Sequence, residues 1–352
     1  MQARLPVTKP RGSGLVAPPG TTRHGTGDGA GSNVVLTVLH GDDLPPSRDR
    51  LHDLAGEVRY ARGAELGDAL PGSDALLLWD SFSPALRAVW HRAEALRWIH
   101  VAAAGVDRML FDELRASDVV VTNSRGVFDR PIAEYVLACV LAFAKDMPGS
   151  WRLQWERRWE HRVTERLDGK TVMIVGTGAI GRAIARMLRA VGLTVLGAGR
   201  STRDGDADFG EVFDSSRLPS LVADVDYLVS VTPLTPETRK LIDADVIGAL
   251  KPSARLINVG RGETVDTDAL VEALRAGRLA GAALDVFEEE PLPAGHPLWS
   301  FPQVLISPHM SGDAAGWRDA LAETFLENLR RYVAGAPLIN VVDKHLGFVP
   351  SS

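Results

Sequence analysis

From Asn33 onward, short and almost wholly apolar runs alternate with segments of helical periodicity. The first series predicts strands at Val34–Leu39, Ala75–Trp79, Trp98–Val101 and Val119–Thr122, with a helical segment at Pro84–Ala93. A longer helix is expected over Pro131–Lys145, where Pro131 suits a first turn and Asp129 is a candidate cap. A second series predicts strands at Thr171–Val175, Thr194–Ala198, Tyr227–Val231, Arg255–Val259, Gly281–Val286 and Val304–Ser307, with helices such as Ile180–Ala190 and Asp266–Ala276 between them. The last helix is expected over Ala315–Ala334, stopped by Gly335 with Pro337 beyond. Strand runs without in–out alternation are covered on both faces, and their alternation with helices points to βαβ units and parallel sheets. The pattern is that of two α/β layers in tandem, the final helix returning to the first. Trp151, Trp155 and Trp159 recur at i, i+4, i+8 and are expected on one helical face, as a packed or dimer-facing stripe.

Composition narrows the function. The 352 residues suggest two domains. Lys plus Arg is 39 and Asp plus Glu is 45, a formal charge of −6, which argues against a general binder of nucleic acid or acidic membrane. The single cysteine, Cys139, excludes an intrachain disulfide and a cysteine-rich metal site, so no metal is expected. The longest apolar stretch, Ile132–Ala144, contains Glu134 and falls short of the ~20 residues a membrane span needs. Residues 1–32 lack the apolar core of a signal peptide and read as a disordered leader. The expected location is cytoplasmic.

The strand Thr171–Val175 runs into Gly176-Thr-Gly178-Ala179-Ile180-Gly181, a G-x-G-x-x-G turn between a strand and a helix. Gly176 permits the tight turn, Gly178 lets a pyrophosphate approach the backbone, and Gly181 lets helix and strand pack closely. The helix opened by Ala179 and Ile180 then offers free N–H groups to the phosphates. NAD enzymes place an acid at the end of the next strand for the ribose 2′-OH. Here Thr194–Ala198 is followed by Gly199-Arg200-Ser201-Thr202-Arg203, and Asp204 comes late. Arginine can pair with a 2′-phosphate, so NADP (NADPH) is expected as the preferred coenzyme, carried mainly by Arg200, with NAD as the alternative.

Three ionisable residues follow three strand runs: Arg261, Glu290 and His309. Ligands of doubly wound sheets bind beyond the carboxyl ends of the strands, so all three are candidates for the mouth that the coenzyme also faces. Reduction of a 2-keto acid needs a hydride, a cation for the carboxylate and an acid for the carbonyl oxygen. Arg261 can hold the carboxylate or keto oxygen, His309 can exchange the proton, and Glu290 can fix the ring of His309. Asp285 is a candidate partner for the nicotinamide or for the Arg–His pair.

Gly176–Gly181, Asn258-Val-Gly-Arg261-Gly262, Asp285-Val-Phe-Glu-Glu-Glu290-Pro291 and Ser307-Pro-His309 closely resemble the D-isomer-specific 2-hydroxyacid dehydrogenase family, of the glyoxylate/hydroxypyruvate reductase kind. The match in order and spacing runs from about Ala75 to Ala334. The resemblance implies two Rossmann-like doubly wound parallel-sheet domains with an interdomain cleft: a substrate domain of 33–124 plus 312–352, and a dinucleotide-binding domain of 125–311. It implies Arg261, Glu290 and His309 as the catalytic set, and a homodimer. It adds Thr232 and Pro233, in a loop that runs to Thr238, together with Val259 and Gly260, to the coenzyme contacts. Ala102-Ala-Ala104-Gly105-Val-Asp107 resembles the loop whose N–H groups bind the substrate carboxylate, a use that small residues allow. Trp79-Asp-Ser-Phe82 departs from the basic or small polar residues common in that place. Trp79 and Phe82 would form an apolar wall, which predicts 2-keto acids with uncharged side chains, unless Arg87 or Arg108 reaches into the same cleft. The leading expectation is an NADPH-preferring reductase of a small 2-keto acid, glyoxylate, hydroxypyruvate or one with an apolar side chain, to its D-2-hydroxy acid. The alternative is a coenzyme-sensing, corepressor-like binding protein on the same scaffold.

Overall fold

A computed structural model describes residues 32–46 and 48–350, so the leader expected over 1–32 lies almost wholly outside the described residues. The first sheet holds β1 (Val35–Leu39), β2 (Glu57–Ala61), β3 (Ala75–Leu78), β4 (Trp98–Val101) and β5 (Val120–Asn123), all parallel, in the order β2-β1-β3-β4-β5. β3 and β4 are buried throughout, as their unbroken apolar runs require. β2 was not among the expected strands. It is an edge strand in which Glu57 and Arg59 pair with each other on an exposed surface, so it carries no apolar run. The expected helix over Pro84–Ala93 is two short pieces, Ala85–Ala88 and a 3₁₀ turn at Trp90–Arg92.

The second sheet holds β6 (Thr171–Val175), β7 (Thr194–Gly199), β8 (Arg203–Asp206), β9 (Gly210–Asp214), β10 (Tyr227–Ser230), β11 (Arg255–Asn258), β12 (Gly281–Leu284) and β13 (Val304–Ile306). Their order is β13-β12-β11-β10-β6-β7-β9-β8, parallel except for the β8–β9 hairpin. The order reverses between β6 and β10, the switch point at which doubly wound sheets open a crevice. The hairpin was not foreseen, because β8 is Arg-Asp-Gly-Asp and largely exposed. A half-buried ion pair replaces the missing apolar anchor: Arg182 donates to both oxygens of Asp206 at 2.9 Å. These bonds, with those from the Asp208 and Phe209 amides, hold the Asp206 carboxyl well below its ordinary range against the opposing effect of burial.

The helix Asp129–Ala144 packs Ile132, Ala133, Val136 and Val140 onto this sheet beside Ile184, Ala185 and Leu188. Asp129 does not cap it. It stands in the first turn, where a carboxylate still favours the helix dipole. The next helix, Met147–Trp155, ends before Trp159, and Arg157 takes a left-handed φ of 53°. Only Trp151 and Trp155 therefore share a helical surface; all three tryptophans are exposed on this chain. The last long helix, Trp317–Val333, returns to the first sheet. Its Leu321, Phe325, Leu326 and Leu329 pack with Leu36, Val38, Leu77 and Trp98, and Phe325 stacks on Trp98 at 5.4 Å. Beyond it, Val341 bridges Thr122 in an antiparallel sense, beside β5. No helix among the described residues is long and apolar enough to cross a membrane.

Candidate active site

The glycine turn is built by steric need. Gly176 has φ 113°, and a Cβ there would stand 2.7 Å from the Val231 carbonyl oxygen. A Cβ at Gly181 would overlap the carbonyl of Gly176, so only glycine lets the Ala179–Ala190 helix sit this close to β6. A Cβ at Gly178 would meet nothing within 4 Å, which leaves an opening beside the helix N-terminus. The hydroxyl of Thr232 is buried without a partner among the described residues. A Cβ at Gly260 would fall 2.8 Å from the Thr232 carbonyl oxygen. Val259 is fixed by its amide bond to the Ser230 carbonyl at 3.0 Å, and the Thr238 hydroxyl donates to the Pro233 carbonyl at 2.7 Å. An uncrowded glycine turn at a helix N-terminus, with an orphaned hydroxyl at Thr232, fits a dinucleotide coenzyme.

At the carboxyl end of β7, Arg200 and Ser201 follow, both exposed. Arg203 reaches the glycine turn, donating to the Thr177 hydroxyl at 3.2 Å. Arg200 lays its guanidinium over the ring of Phe348 at 4.8 Å. Asp206 is the acid of the adjoining hairpin, and Arg182 holds its carboxylate.

The carboxyl ends of the two sheets meet at Arg261, Glu290 and His309. Arg261 follows β11, in a turn fastened by the Asn258 side chain and the Thr264 hydroxyl, which donate to its carbonyl at 2.9 and 2.7 Å. Its guanidinium crosses to the loop after β4 and pairs with Asp107: Nε donates to Oδ1 and Oδ2 at 3.0 and 3.1 Å, and Nη2 to Oδ1 at 2.9 Å. A Cβ at Gly105 would lie inside that guanidinium, so the glycine makes room for the arginine. Ala104 and Gly105 are half-buried, and among the described residues neither amide donates to the protein. Asn123 braces the loop by donating to the Ala104 carbonyl at 2.6 Å.

His309 has a left-handed φ of 51°, held by its amide bond to the Asp285 carbonyl at 2.8 Å. Nδ1 faces Glu290 Oε2 at 2.9 Å. Burial pushes the Glu290 carboxyl up, but hydrogen bonds from His309 and the Phe287 amide, with the charges of His309 and Arg108, outweigh it and bring the pKa below its ordinary value. Facing an ionised carboxylate, Nδ1 must donate, and Nε2 is left for a ligand. Asp285 is almost fully buried and belongs to this arrangement as a brace. Oδ1 accepts from the Ser307 hydroxyl at 2.5 Å and the Met310 amide at 2.9 Å, and Oδ2 accepts from the Ser311 amide at 2.9 Å. Tyr135 closes the chain on Ser307 at 2.6 Å.

Trp79, expected to wall the substrate, packs half-buried on the core between the first sheet and the last helix. The aromatic ring that meets His309 is Phe82, edge-on at 5.8 Å. Arg108 does enter the cleft: it donates to Glu290 Oε2 at 3.2 Å and lies over Phe82 at 4.9 Å. Sequence reasoning missed Asp107, although the residue lies inside the quoted loop. It also missed Tyr135, which no local pattern marks.

This is the layout of a dinucleotide-dependent oxidoreductase, a glycine-turn coenzyme groove opening on an Arg, Glu and His cluster between two α/β sheets. Residues 137–311 match the family model described as D-isomer specific 2-hydroxyacid dehydrogenase, NAD binding domain. Glyoxylate reductase of Thermococcus kodakarensis is 33% identical over 270 residues, 73% of this chain and 80% of that one. A D-isomer specific 2-hydroxyacid dehydrogenase from Xanthobacter autotrophicus, solved with NADPH and MES, is 34% identical with a TM-score of 0.76, covering 90% of this chain and 100% of that one. The NADPH-dependent glyoxylate/hydroxypyruvate reductase of Sinorhizobium meliloti, solved with NADP and sulfate, is 28% identical with a TM-score of 0.77, covering 90% and 100%. The chain belongs to the D-isomer-specific 2-hydroxyacid dehydrogenase family and is an NAD(P)-dependent enzyme.

Proposed function

We propose that the enzyme reduces a small 2-keto acid of the glyoxylate or hydroxypyruvate type to its D-2-hydroxy acid, with NADPH preferred over NADH. The observation that carries this reading is the Glu290–His309 pair at 2.9 Å, set beside Arg261 where both sheets end. Residues 33–124 and 312–352 would form the substrate side and 125–311 the coenzyme side, in keeping with the return of the last helix to the first sheet. The relatives' printed activities, glyoxylate and hydroxypyruvate reduction, support the substrate class. Support for NADPH comes from Arg200 and Arg203 in the place of an acid at the end of β7. The exposed Trp151 and Trp155 would be covered by a second copy in a homodimer.

In this reading the reduced nicotinamide supplies the hydride when bound. Gly176, Gly178, Ala179, Ile180, Gly181, Thr232, Pro233, Val259 and Gly260 would line it. The Ala104 and Gly105 amides and Arg261 hold the substrate carboxylate and polarise the keto group. His309 donates the proton from Nε2 to the oxygen that becomes the hydroxyl, and takes it back in the oxidation. Glu290 keeps the ring aimed through Nδ1 and offsets the imidazolium charge. The test is loss of NADPH and NADH absorbance with glyoxylate, hydroxypyruvate and longer 2-keto acids, with Arg203→Ala alongside. Turnover with NADPH that the variant weakens selectively is expected. No turnover with any 2-keto acid would overturn the reading.

A further inference from the structure

We propose that Phe348 is a positioning residue of the coenzyme site, by which the C-terminal segment presents Arg200 to the adenosine 2′-phosphate. This rests on the NADPH reading above and extends it to a segment far from the glycine turn in sequence. The segment is firmly held on the first sheet. The Val342 amide donates to the Val121 carbonyl at 2.8 Å, and the Asn340 side chain donates to the Arg125 carbonyl at 2.9 Å. Lys344 Nζ donates to the Leu114 and Val119 carbonyls at 3.1 Å and also to Ser117. The segment turns back so that the Asp343 amide donates to the Phe348 carbonyl at 3.1 Å, and Arg125 donates to the Val349 carbonyl at 3.2 Å. Phe348 is thereby held by a backbone bond at its own carbonyl and by a guanidinium bond at the next one, and it is half-buried.

Arg200 belongs to the other sheet. It leaves the end of β7 exposed, and on its own would lose much rotamer freedom on binding a phosphate. Stacked on Phe348 at 4.8 Å, the guanidinium has one face covered and keeps its N–H edge for an anion. Its charge also reaches Glu237 in the loop after β10, whose carboxyl lies below its ordinary value chiefly through Thr235 and its own amide, with Arg200 adding to the effect. The geometric contact of Arg200 is the Phe348 ring, while Arg203 of the same turn reaches Thr177. A residue anchored to one sheet thus sets the side chain of a residue on the other.

The test is fluorescence titration of NADPH and NADH into the wild type, Phe348→Leu, Phe348→Trp, Arg200→Ala and the double variant Arg200→Ala/Phe348→Leu. Leucine keeps the apolar bulk of the segment and removes only the π face. An exposed cation–π contact predicts a two- to fivefold rise in the NADPH Kd for Phe348→Leu, with NADH unchanged (about 0.5–1 kcal/mol). Phe348→Trp should restore wild-type affinity, and Phe348→Leu should add nothing once Arg200 is alanine. Equal loss of both coenzymes in Phe348→Leu, or no loss, overturns the inference. Arg200→Ala that weakens NADPH and NADH alike overturns the 2′-phosphate reading beneath it. If Arg200→Ala is selective and Phe348→Leu is silent, the assignment of Phe348 alone fails.

Discussion

Glu290 and Arg108 share more than proximity: the oxygen that receives Arg108 at 3.2 Å is the same Oε2 that receives His309 at 2.9 Å. One carboxylate oxygen, carried on the loop after β12, thus serves a ring from β13 and a cation from the first sheet. Its other oxygen accepts from the Phe287 amide at 3.1 Å, so the carboxylate cannot turn away from either. Glu290→Gln keeps the hydrogen bond and removes the charge that balances an imidazolium. Turnover should fall by roughly tenfold or more. His309→Ala should cut kcat by ~10²–10⁴-fold while NADPH still binds, since the ring supplies proton transfer and not coenzyme affinity. Wild-type turnover in His309→Ala would send the search for the proton donor elsewhere.

Asp107 gives a second prediction. Its carboxylate holds Arg261 through three bonds, and both side chains are largely buried. Asp107→Ala would leave the guanidinium without its carboxylate partner beside Gly105, held only by the Gly260 carbonyl. A charged hydrogen bond contributes about 1.5–3 kcal/mol, which corresponds to a ~10–100-fold loss in kcat/KM for the keto acid. The loss should appear mainly in KM, with the NADPH Kd unaltered. A coenzyme defect of equal size would mean that Asp107 maintains the whole cleft and not the arginine.

His100 concerns stability. It is wholly buried in β4, with Nδ1 at 2.8 Å from the Thr122 hydroxyl and Nε2 at 3.2 Å from that of Ser124. Burial pushes its pKa down to about 3 from the ordinary 6.5. The unfolded chain therefore binds a proton that the folded chain refuses between these values. Stability is complete above about pH 6.5 and falls as the pH drops toward 3, by up to about 1.4 kcal/mol per pH unit. Thermal melts of the wild type and His100→Gln from pH 7 to pH 4.5 check this. Parallel declines in the two proteins would exclude His100 as the source.

Much of this was readable in the chain because the physics is local. Gly176, Gly178 and Gly181 announce a strand-to-helix turn, and the strand runs are short and nearly all apolar, so β3, β4, β6 and β10 to β13 stood out. The same reasoning put Arg261 and His309 at strand ends. What stayed hidden depends on residues that meet only in three dimensions. β8 is polar because Arg182, one helix away, satisfies Asp206. Asp285, expected as a partner of the nicotinamide or of the Arg–His pair, also accepts from Ser307, Met310 and Ser311, which only the fold brings around it. Trp79 and Phe82 are three positions apart and equally aromatic, and the packing of the last helix decides which one is buried.

That division between Trp79 and Phe82 sets the substrate prediction. Phe82 offers its edge to His309 and its face to Arg108, so the cleft wall beside the proton donor is apolar with one cation at its rim. The cation alone would favour a second anionic group on the substrate. Its charge is already balanced by Glu290, and a phosphate or second carboxylate would have to draw Arg108 away from that carboxylate. Uncharged side chains should therefore give the higher kcat/KM: hydroxypyruvate and a branched 2-keto acid above 3-phosphohydroxypyruvate and oxaloacetate. Apolar contact discriminates by ~1–3 kcal/mol per methylene at most, so the ranking among the uncharged acids should be graded. Phe82→Ala should flatten that ranking, whereas Trp79→Phe should leave it in place because Trp79 packs against the core under the last helix. Arg108→Ala should lower the residual activity on oxaloacetate more than that on glyoxylate. Oxaloacetate or 3-phosphohydroxypyruvate outperforming hydroxypyruvate in the wild type would show that Arg108 leaves Glu290 for the substrate, and the balance argued here would be wrong.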